Sequence, residues 1–232
     1  MKRLLIAALA GAWAFVTPVI PAHAAVTVGA WEMNEAPGAT VLVDSSGNGY
    51  NGTIGTGIQL NGSYFNWPFR SPTAPPADKQ RLALIPHRDV LNPGTGNYSV
   101  WFRYRTTQHF GNIIQKGQGG ATGGYFKIEN PSGYIECKFR GRKPDGTWAA
   151  KVVKSPTVLS DGNWHNILCE RTSTSLKLYV DGMLVSSRTG STGNIVNTRP
   201  ISIAGKLNCN NLPGGTTCDY FTGSVDYVRI TK

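Results

Sequence analysis

The sequence predicts an all-β protein, and three observations carry that prediction. Apolar and polar residues alternate with a period of two along much of the chain. Gly, Asn, Asp and Pro punctuate those runs at turn-like intervals. No stretch beyond residue 24 sustains the apolar stripe of an amphipathic helix.

The elements follow in chain order. Met1-Lys2-Arg3 is a basic start, residues 4–20 are almost uninterruptedly apolar, and Ala22-His23-Ala24 has the small-x-small pattern of a signal-peptidase site. Residues 1–24 are therefore read as a signal peptide and residues 25–232 as one secreted domain. Cleavage removes Lys2 and Arg3 from a chain of 23 Lys+Arg and 13 Asp+Glu, leaving a net charge about two below the formal +10. No later run approaches the roughly 20 apolar residues of a membrane span, and apolar content is too high for intrinsic disorder. Residues 67–78 contain Pro68, Pro72, Pro75 and Pro76 and are read as a surface loop within the domain.

Val100, Phe102 and Tyr104 alternate with Trp101, Arg103 and Arg105. Ile135, Cys137 and Phe139 alternate with Glu136, Lys138 and Arg140, and Leu176, Leu178 and Val180 with Lys177, Tyr179 and Asp181. Asp181-Gly182 is the strongest hairpin signal, because both residues accept the positive φ of a tight turn. It predicts Val180 opposite Met183 and Leu178 opposite Val185. Further turns are read at Asn130-Pro131-Ser132-Gly133, Lys143-Pro144-Asp145-Gly146 and Ser160-Asp161-Gly162-Asn163. The first, closing a hairpin, would set Lys127 opposite Glu136, with Glu129 diagonal to it.

Export to an oxidising compartment makes the four cysteines two disulfides rather than a zinc site, and no Cys-x-x-Cys occurs. Cys209 and Cys218 bracket a short loop, which leaves Cys137 with Cys169, both in the core-facing phase of their runs. Three connectivities are formally possible.

Three stretches resemble a known family. They are Trp31-Glu32-Met33-Asn34-Glu35 with Val43-Asp44-Ser45-Ser46-Gly47-Asn48-Gly49-Tyr50-Asn51-Gly52-Thr53, then Asp161-Gly162-Asn163-Trp164-His165 with Leu176-Lys177-Leu178-Tyr179-Val180-Asp181-Gly182, then Phe221-Thr222-Gly223-Ser224-Val225-Asp226-Tyr227-Val228-Arg229-Ile230. In this order they resemble laminin-G-like domains of the concanavalin A-like superfamily. The resemblance implies a jelly-roll sandwich of two curved antiparallel sheets. It also implies one structural calcium, held by Asp44, by loop carbonyls around Gly49 to Asn51, and by Asp226 on a last strand that returns beside the first. The alternative is an Asx-turn at Asp44 and a strand-end salt bridge at Asp226.

The superfamily hosts lectins, adhesion modules, glycanases and lyases, so function must come from the site. Glycanases similar to this fold carry carboxylates at alternate positions of one strand, and no acid here has that spacing. Glu32 and Glu35 come closest, and the cross-strand Glu129 and Glu136 are the pair to test. The Gln-x-His of related lyases is missing, although Gln108-His109 and Tyr125-Phe126-Lys127 are superficially similar. His165, beside Trp164, matches a structural pair of the family and is read as packing. No catalytic residue is expected.

A ligand face is expected instead. Trp101, Arg103 and Arg105 share one side of their strand, and Tyr134, Lys138, Arg140 and Arg142 one side of theirs. Both pointing outward would make a basic surface with aromatic platforms, suited to sugar rings and to carboxylate or sulfate. The competing reading is a solvated basic surface. The expectation is a monomeric, secreted, non-catalytic carbohydrate-binding or adhesion module that is calcium-stabilised and binds no nucleic acid. A glycanase or polysaccharide lyase, and a structural or protein-binding domain, are the alternatives.

Overall fold

The three alternating runs each become a strand with one buried face. The computed structural model describes residues 25–71, 79–212 and 215–232. Residues 1–24, expected above to be a signal peptide, residues 72–78 of the proline-rich loop and residues 213–214 lie outside the described residues. The strands are β1 (Thr27–Trp31), β2 (Val41–Leu42), β3 (Gly52–Ile54), β4 (Gln59–Leu60), β5 (Phe65–Trp67), β6 (Ala83–Ile85), β7 (Tyr98–Arg105), β8 (Asn112–Lys116) and β9 (Tyr125–Glu129). They continue with β10 (Glu136–Arg142), β11 (Trp148–Lys154), β12 (His165–Arg171), β13 (Ser175–Val180), β14 (Met183–Thr189), β15 (Ile201–Ile203), β16 (Asn210–Leu212), β17 (Gly215–Thr217) and β18 (Gly223–Thr231). Helical structure among the described residues is limited to short 3-10 turns, and no helix is long and apolar enough to cross a membrane.

Two antiparallel sheets form a jelly-roll sandwich. The front sheet runs β14-β13-β12-β7-β18-β5-β4, with β1 paired to β18. The back sheet runs β11-β10-β9-β8-β15-β6-β3-β2. The last strand does return beside the first, with Trp31 opposite Val228. Inward residues of β7 (Val100, Phe102, Tyr104) and of β10 (Cys137, Phe139) are fully buried in one core. Phe126 stacks on Phe139 with centroids 5.6 Å apart, and Tyr98 packs against both. A disulfide between Cys137 on the back sheet and Cys169 on the front joins the two layers through the core. Cys209–Cys218 closes the β16–β17 ribbon. Both pairings are those expected from the sequence.

Local chemistry fixes the ends of the sandwich. Trp31 is fully buried and donates its indole N–H to the Tyr50 carbonyl at 3.0 Å. A Cβ at Gly29 would stand 2.5 Å from that ring, so the position admits only glycine. In the core-facing phase of β12, shared with Ile167 and Cys169, the buried Arg171 points inward. Its guanidinium donates to Thr192 Oγ1 (2.7 Å) and to the carbonyls of Pro93 (3.1 Å), Gly94 (2.9 Å) and Gly193 (2.9 Å). Those loops would otherwise bury unpaired carbonyls. Asn194, next in the chain, bridges to Arg142 at the end of β10, so Arg171 ties the front sheet to a loop held by the back sheet.

Two expected registers are corrected. Asp181 (φ 50°) and Gly182 (φ 83°) form the predicted tight turn and Val180 does face Met183. A bulge then makes Val185 the extra residue, so Leu178 faces Ser186 rather than Val185. In the β9–β10 hairpin Glu129 lies directly opposite Glu136, and Lys127 opposite Lys138. The connection uses Tyr134 and Ile135 as well as the Asn130–Gly133 turn, which shifts the pairing by two residues. A shift of two keeps every side chain on its face.

Candidate ligand-binding faces

The front sheet presents an apolar row across four strands. Leu184 pairs with Tyr179, Tyr179 with Leu168, and Leu168 with Trp101; Arg229 then follows Trp101 on β18. Trp101 is 43% exposed and Leu184 53%. Tyr227 sets its ring edge-to-face against Trp101 at 6.0 Å, and its hydroxyl donates to Asn166 Oδ1 at 3.1 Å. Trp101, Asn166, Leu168, Glu170, Tyr179 and Gly182 line a shallow hollow of about 380 Å³. An aromatic floor with a polar rim results.

Arg103 and Arg105 occupy the same face but are already engaged. Their guanidinium groups lie 4.8 and 4.9 Å from the Trp164 ring centroid. Arg103 also pairs with Asp226 at 3.0 Å, and Arg105 donates to the Tyr64 hydroxyl at 2.9 Å. Such cation–π contacts are worth ~0.5–1 kcal/mol each at exposed sites. They stiffen the face beside the hollow.

Tyr134, Lys138, Arg140 and Arg142 belong to the other side of the molecule. β10 lies in the back sheet and β7 in the front, so their outward side chains point away from one another. The single basic face expected from the sequence is therefore two faces. Alternation tells which residues of a strand share a side, but not which sheet the strand joins. On the back face Arg140 and Arg142 stack on Trp148, 4.3 and 3.9 Å from its centroid, and Lys154 lies 4.1 Å over Tyr134. Lys127, Lys138, Lys154, Arg140 and Arg142 there outnumber Glu129 and Glu136, so this is the more strongly positive side.

The carboxylates take structural positions. Glu32 pairs with Arg229 and accepts from Ser45, while Glu35 accepts the Val43 N–H at 2.8 Å. Glu129 pairs with Lys127 at 2.6 Å. Burial, and secondarily the charge of Glu129, hold the Glu136 carboxyl above the usual range against the opposing pull of Lys138, Lys127 and Lys154. The Gln108 carbonyl accepts from Asn130 and Ser160, so this segment serves packing. His165 bridges Asp181 (2.8 Å) and Asp161 (3.2 Å), joining two turns as a structural residue.

The expected calcium ligands do not form a cage. Asp44 Oδ1 accepts the N–H groups of Ala30 (3.0 Å) and Ser46 (3.0 Å), and Oδ2 that of Tyr50 (2.8 Å). Asn51 Oδ1 faces the Asp44 N–H (2.8 Å), and Gly49 lies within this loop at a positive φ of 72°. Asp226 is paired with Arg103. Calcium needs ~6–8 converging oxygens; here N–H donors converge on Asp44 instead, and no cluster of three or more metal-binding side chains stands among the described residues. As placed, Asp44 makes an Asx-turn with Ser46 and Asp226 a salt bridge with Arg103.

Burial works to raise the Asp44 pKa, but the Ala30, Ser46 and Tyr50 hydrogen bonds outweigh it and leave the carboxyl lowered. Asn163, chiefly, holds Asp161 down to about 2. Lowered carboxylate pKa values contribute stability above the unfolded value of ~3.9 that is lost as pH falls through the folded ones. Thermal melts are expected to fall as pH drops from ~4 to ~2. Asp44→Asn turns an NH₂ toward an N–H and is expected to cost about 1–3 kcal/mol at pH 7, with a shallower acid limb. An unchanged acid limb in that variant would contradict this role.

Sequence reasoning missed Trp164, Tyr64, Tyr227 and Trp148 as stacking partners. Trp148 was within reach: the Lys143–Gly146 turn pairs β10 with β11 and sets Trp148 opposite Arg142. Tyr64 and Trp164 come from distant segments and carry no local signal.

Comparison with known proteins places this architecture. The Laminin_G_3 family model, described as concanavalin A-like lectin/glucanases superfamily, matches residues 76–232. A search of curated proteins finds no match. Among solved structures the chain is similar to the botulinum neurotoxin serotype D binding domain, at 16% identity and TM-score 0.58 over 89% of this chain and 47% of that one. It is similar to the binding domain of botulinum neurotoxin DC in complex with SialylT, at 15% identity and TM-score 0.60 over 89% and 48%. A structure described as showing that cell entry of botulinum neurotoxin type C depends on two ganglioside molecules matches at the same 15%, 0.60, 89% and 48%. The chain thus spans about half the length of these structures, and at such identities the likeness is one of fold. With its two-sheet jelly roll and a family match over most of its length, the chain belongs to the concanavalin A-like lectin/glucanases superfamily.

Proposed function

We propose that the protein is a secreted, non-catalytic binding module that holds glycans on the outer face of its front sheet. The observation that carries this reading is the exposed Trp101, braced by Tyr227 and set beside a hollow with Leu168, Tyr179, Asn166 and Glu170 around it. A rigid aromatic plane stacks on the apolar face of a sugar ring, and the rim groups take its hydroxyls. Two disulfides suit an extracellular protein. The sialylated and ganglioside ligands named for the structural relatives belong to those proteins, and support only the general idea that this fold can present a glycan site. The reading needs no calcium, and it takes the chain as a monomer.

Trp101→Ala is expected to reduce glycan-array binding about 30-fold, the effect of losing a central anchor of ~2 kcal/mol, with an unchanged melting temperature. Retained binding would sink the reading.

One observation favours a second reading, a glycanase. Directly opposed Glu129 and Glu136 share a face, and cross-strand partners ~4.5–5.5 Å apart at Cβ can bring their carboxyl groups to the ~5–5.5 Å of a retaining pair. Reducing ends released from a bound glycan, and lost in Glu136→Gln, would establish it. The binding-module reading predicts no release.

A further inference from the structure

The outer face of the back sheet carries a second, more enclosed hollow on the side opposite Trp101. Gln115 of β8 and Ser202 of β15 pair in register and form its floor. Its walls are the glycine-rich loop of residues 117–121 on one side and Pro200, Leu207 and Asn208 on the other. Its volume is about 180 Å³, below the ~300–1,000 Å³ of drug-sized pockets, so it suits a single ring. A neighbouring hollow of about 400 Å³ lies between residues 120–123 and residues 196–199. The two hollows share Gly120, Ala121 and Arg199, which puts Arg199 at their junction.

Three features show a prepared cradle. A Cβ at Gly117 would stand 3.0 Å from Asn197 Nδ2, and one at Gly123 only 1.5 Å from the Val196 carbonyl. At Gly119 and Gly120 it would meet nothing within 4 Å. The loop is thus packed against protein at both ends and bare in the middle, where the hollow lies. Gln115, only 2% exposed, accepts from Asn112 Nδ2 through Oε1 at 2.8 Å, which leaves its NH₂ as a donor. The exposed Arg199 guanidinium makes no hydrogen bond or ion pair among the described residues. Its backbone, by contrast, is clamped: the N–H donates to Asn197 Oδ1 at 3.0 Å, and the carbonyl accepts from the buried Lys116 ammonium. Lys116 also donates to the Asn197 carbonyl at 3.1 Å. An unpaired guanidinium offers its whole fork of donors to an anion, and with the backbone already held only the side-chain rotamers remain to be ordered.

We propose that this pocket binds a terminal acidic sugar residue. Its carboxylate lies on Arg199, its ring hydroxyls meet the Gln115 amide and the glycine loop, and the rest of the glycan continues into the neighbouring hollow. The inference takes its ligand class from the glycan-binding reading, but stands on other residues and the other sheet.

The test uses the disulfide-intact, ¹⁵N-labelled protein titrated with glucuronate and, separately, with glucose. Glucuronate is expected to shift the amide signals of residues 117–121 and Arg199, and glucose at the same concentration to leave them nearly unmoved. Arg199→Ala should weaken glucuronate binding about tenfold or more, from loss of a charged hydrogen bond. Gly119→Trp should block the pocket sterically with melting temperature unchanged, while Trp101→Ala should leave these shifts intact. Equal shifts by glucose, or undiminished binding by Arg199→Ala, would overturn the proposal. Array binding that depends on Trp101 without any glucuronate shift would overturn it too, and would leave the front-face reading standing.

Discussion

Replacing Cys137 and Cys169 together by alanine is expected to lower stability by about 3–4 kcal/mol, the chain-entropy value for a loop of this length. The two residues are 32 apart in sequence and join the two sheets through the core. For a domain of this size the melting temperature should drop by roughly 6–16 °C. Replacing Cys209 and Cys218, 9 apart, should cost less, about 2.5 kcal/mol. The ordering matters most: a smaller loss for the long-range pair would mean that the sheets are held by packing alone.

The second large effect is expected at Arg171. Burial holds its guanidinium down to about 10, so it stays charged at neutral pH. Arg171→Met keeps the apolar stem but abandons the Thr192 hydroxyl and the carbonyls of Pro93, Gly94 and Gly193. Stranding buried acceptors of a charged donor is expected to cost about 3–5 kcal/mol. Denaturant titration would read the loss, and hydrogen exchange should report early opening around residues 192–195. A cost below ~1 kcal/mol would show that water replaces the guanidinium freely.

Strand identity was legible in the sequence wherever a strand has one wet and one dry face. The runs of β7, β10 and β13 announced themselves, and so did the Asp181-Gly182 turn and both disulfides. Sheet membership was not legible. β7 lies between β12 and β18, whose residues are far away in sequence, and alternation within β7 holds no trace of them. The basic residues of β7 and β10 were therefore assembled on one face where the structure places them on two. Registers erred where a local irregularity entered: the bulge beside Leu178 and the long connection before Glu136. Asp44 shows another limit, since its sequence context fits either a metal loop or an Asx-turn, and the N–H of Ala30 that reaches it comes from a distant strand. Arg199 and Gln115 lie in segments with no distinctive motif, so their pocket becomes visible only once β8 and β15 are paired.

On the function proposed above, the main glycan contact is the front-face Trp101 and not the Arg140–Arg142 end of the back sheet. The most direct test is one set of affinities for an array-selected glycan, measured by calorimetry on the native protein, Trp101→Ala, and the double variant Arg140→Ala/Arg142→Ala. The expected result is a loss of about 30-fold for Trp101→Ala and of less than about threefold for the double variant. The reverse pattern, full affinity without Trp101 and collapse without Arg140 and Arg142, would contradict it.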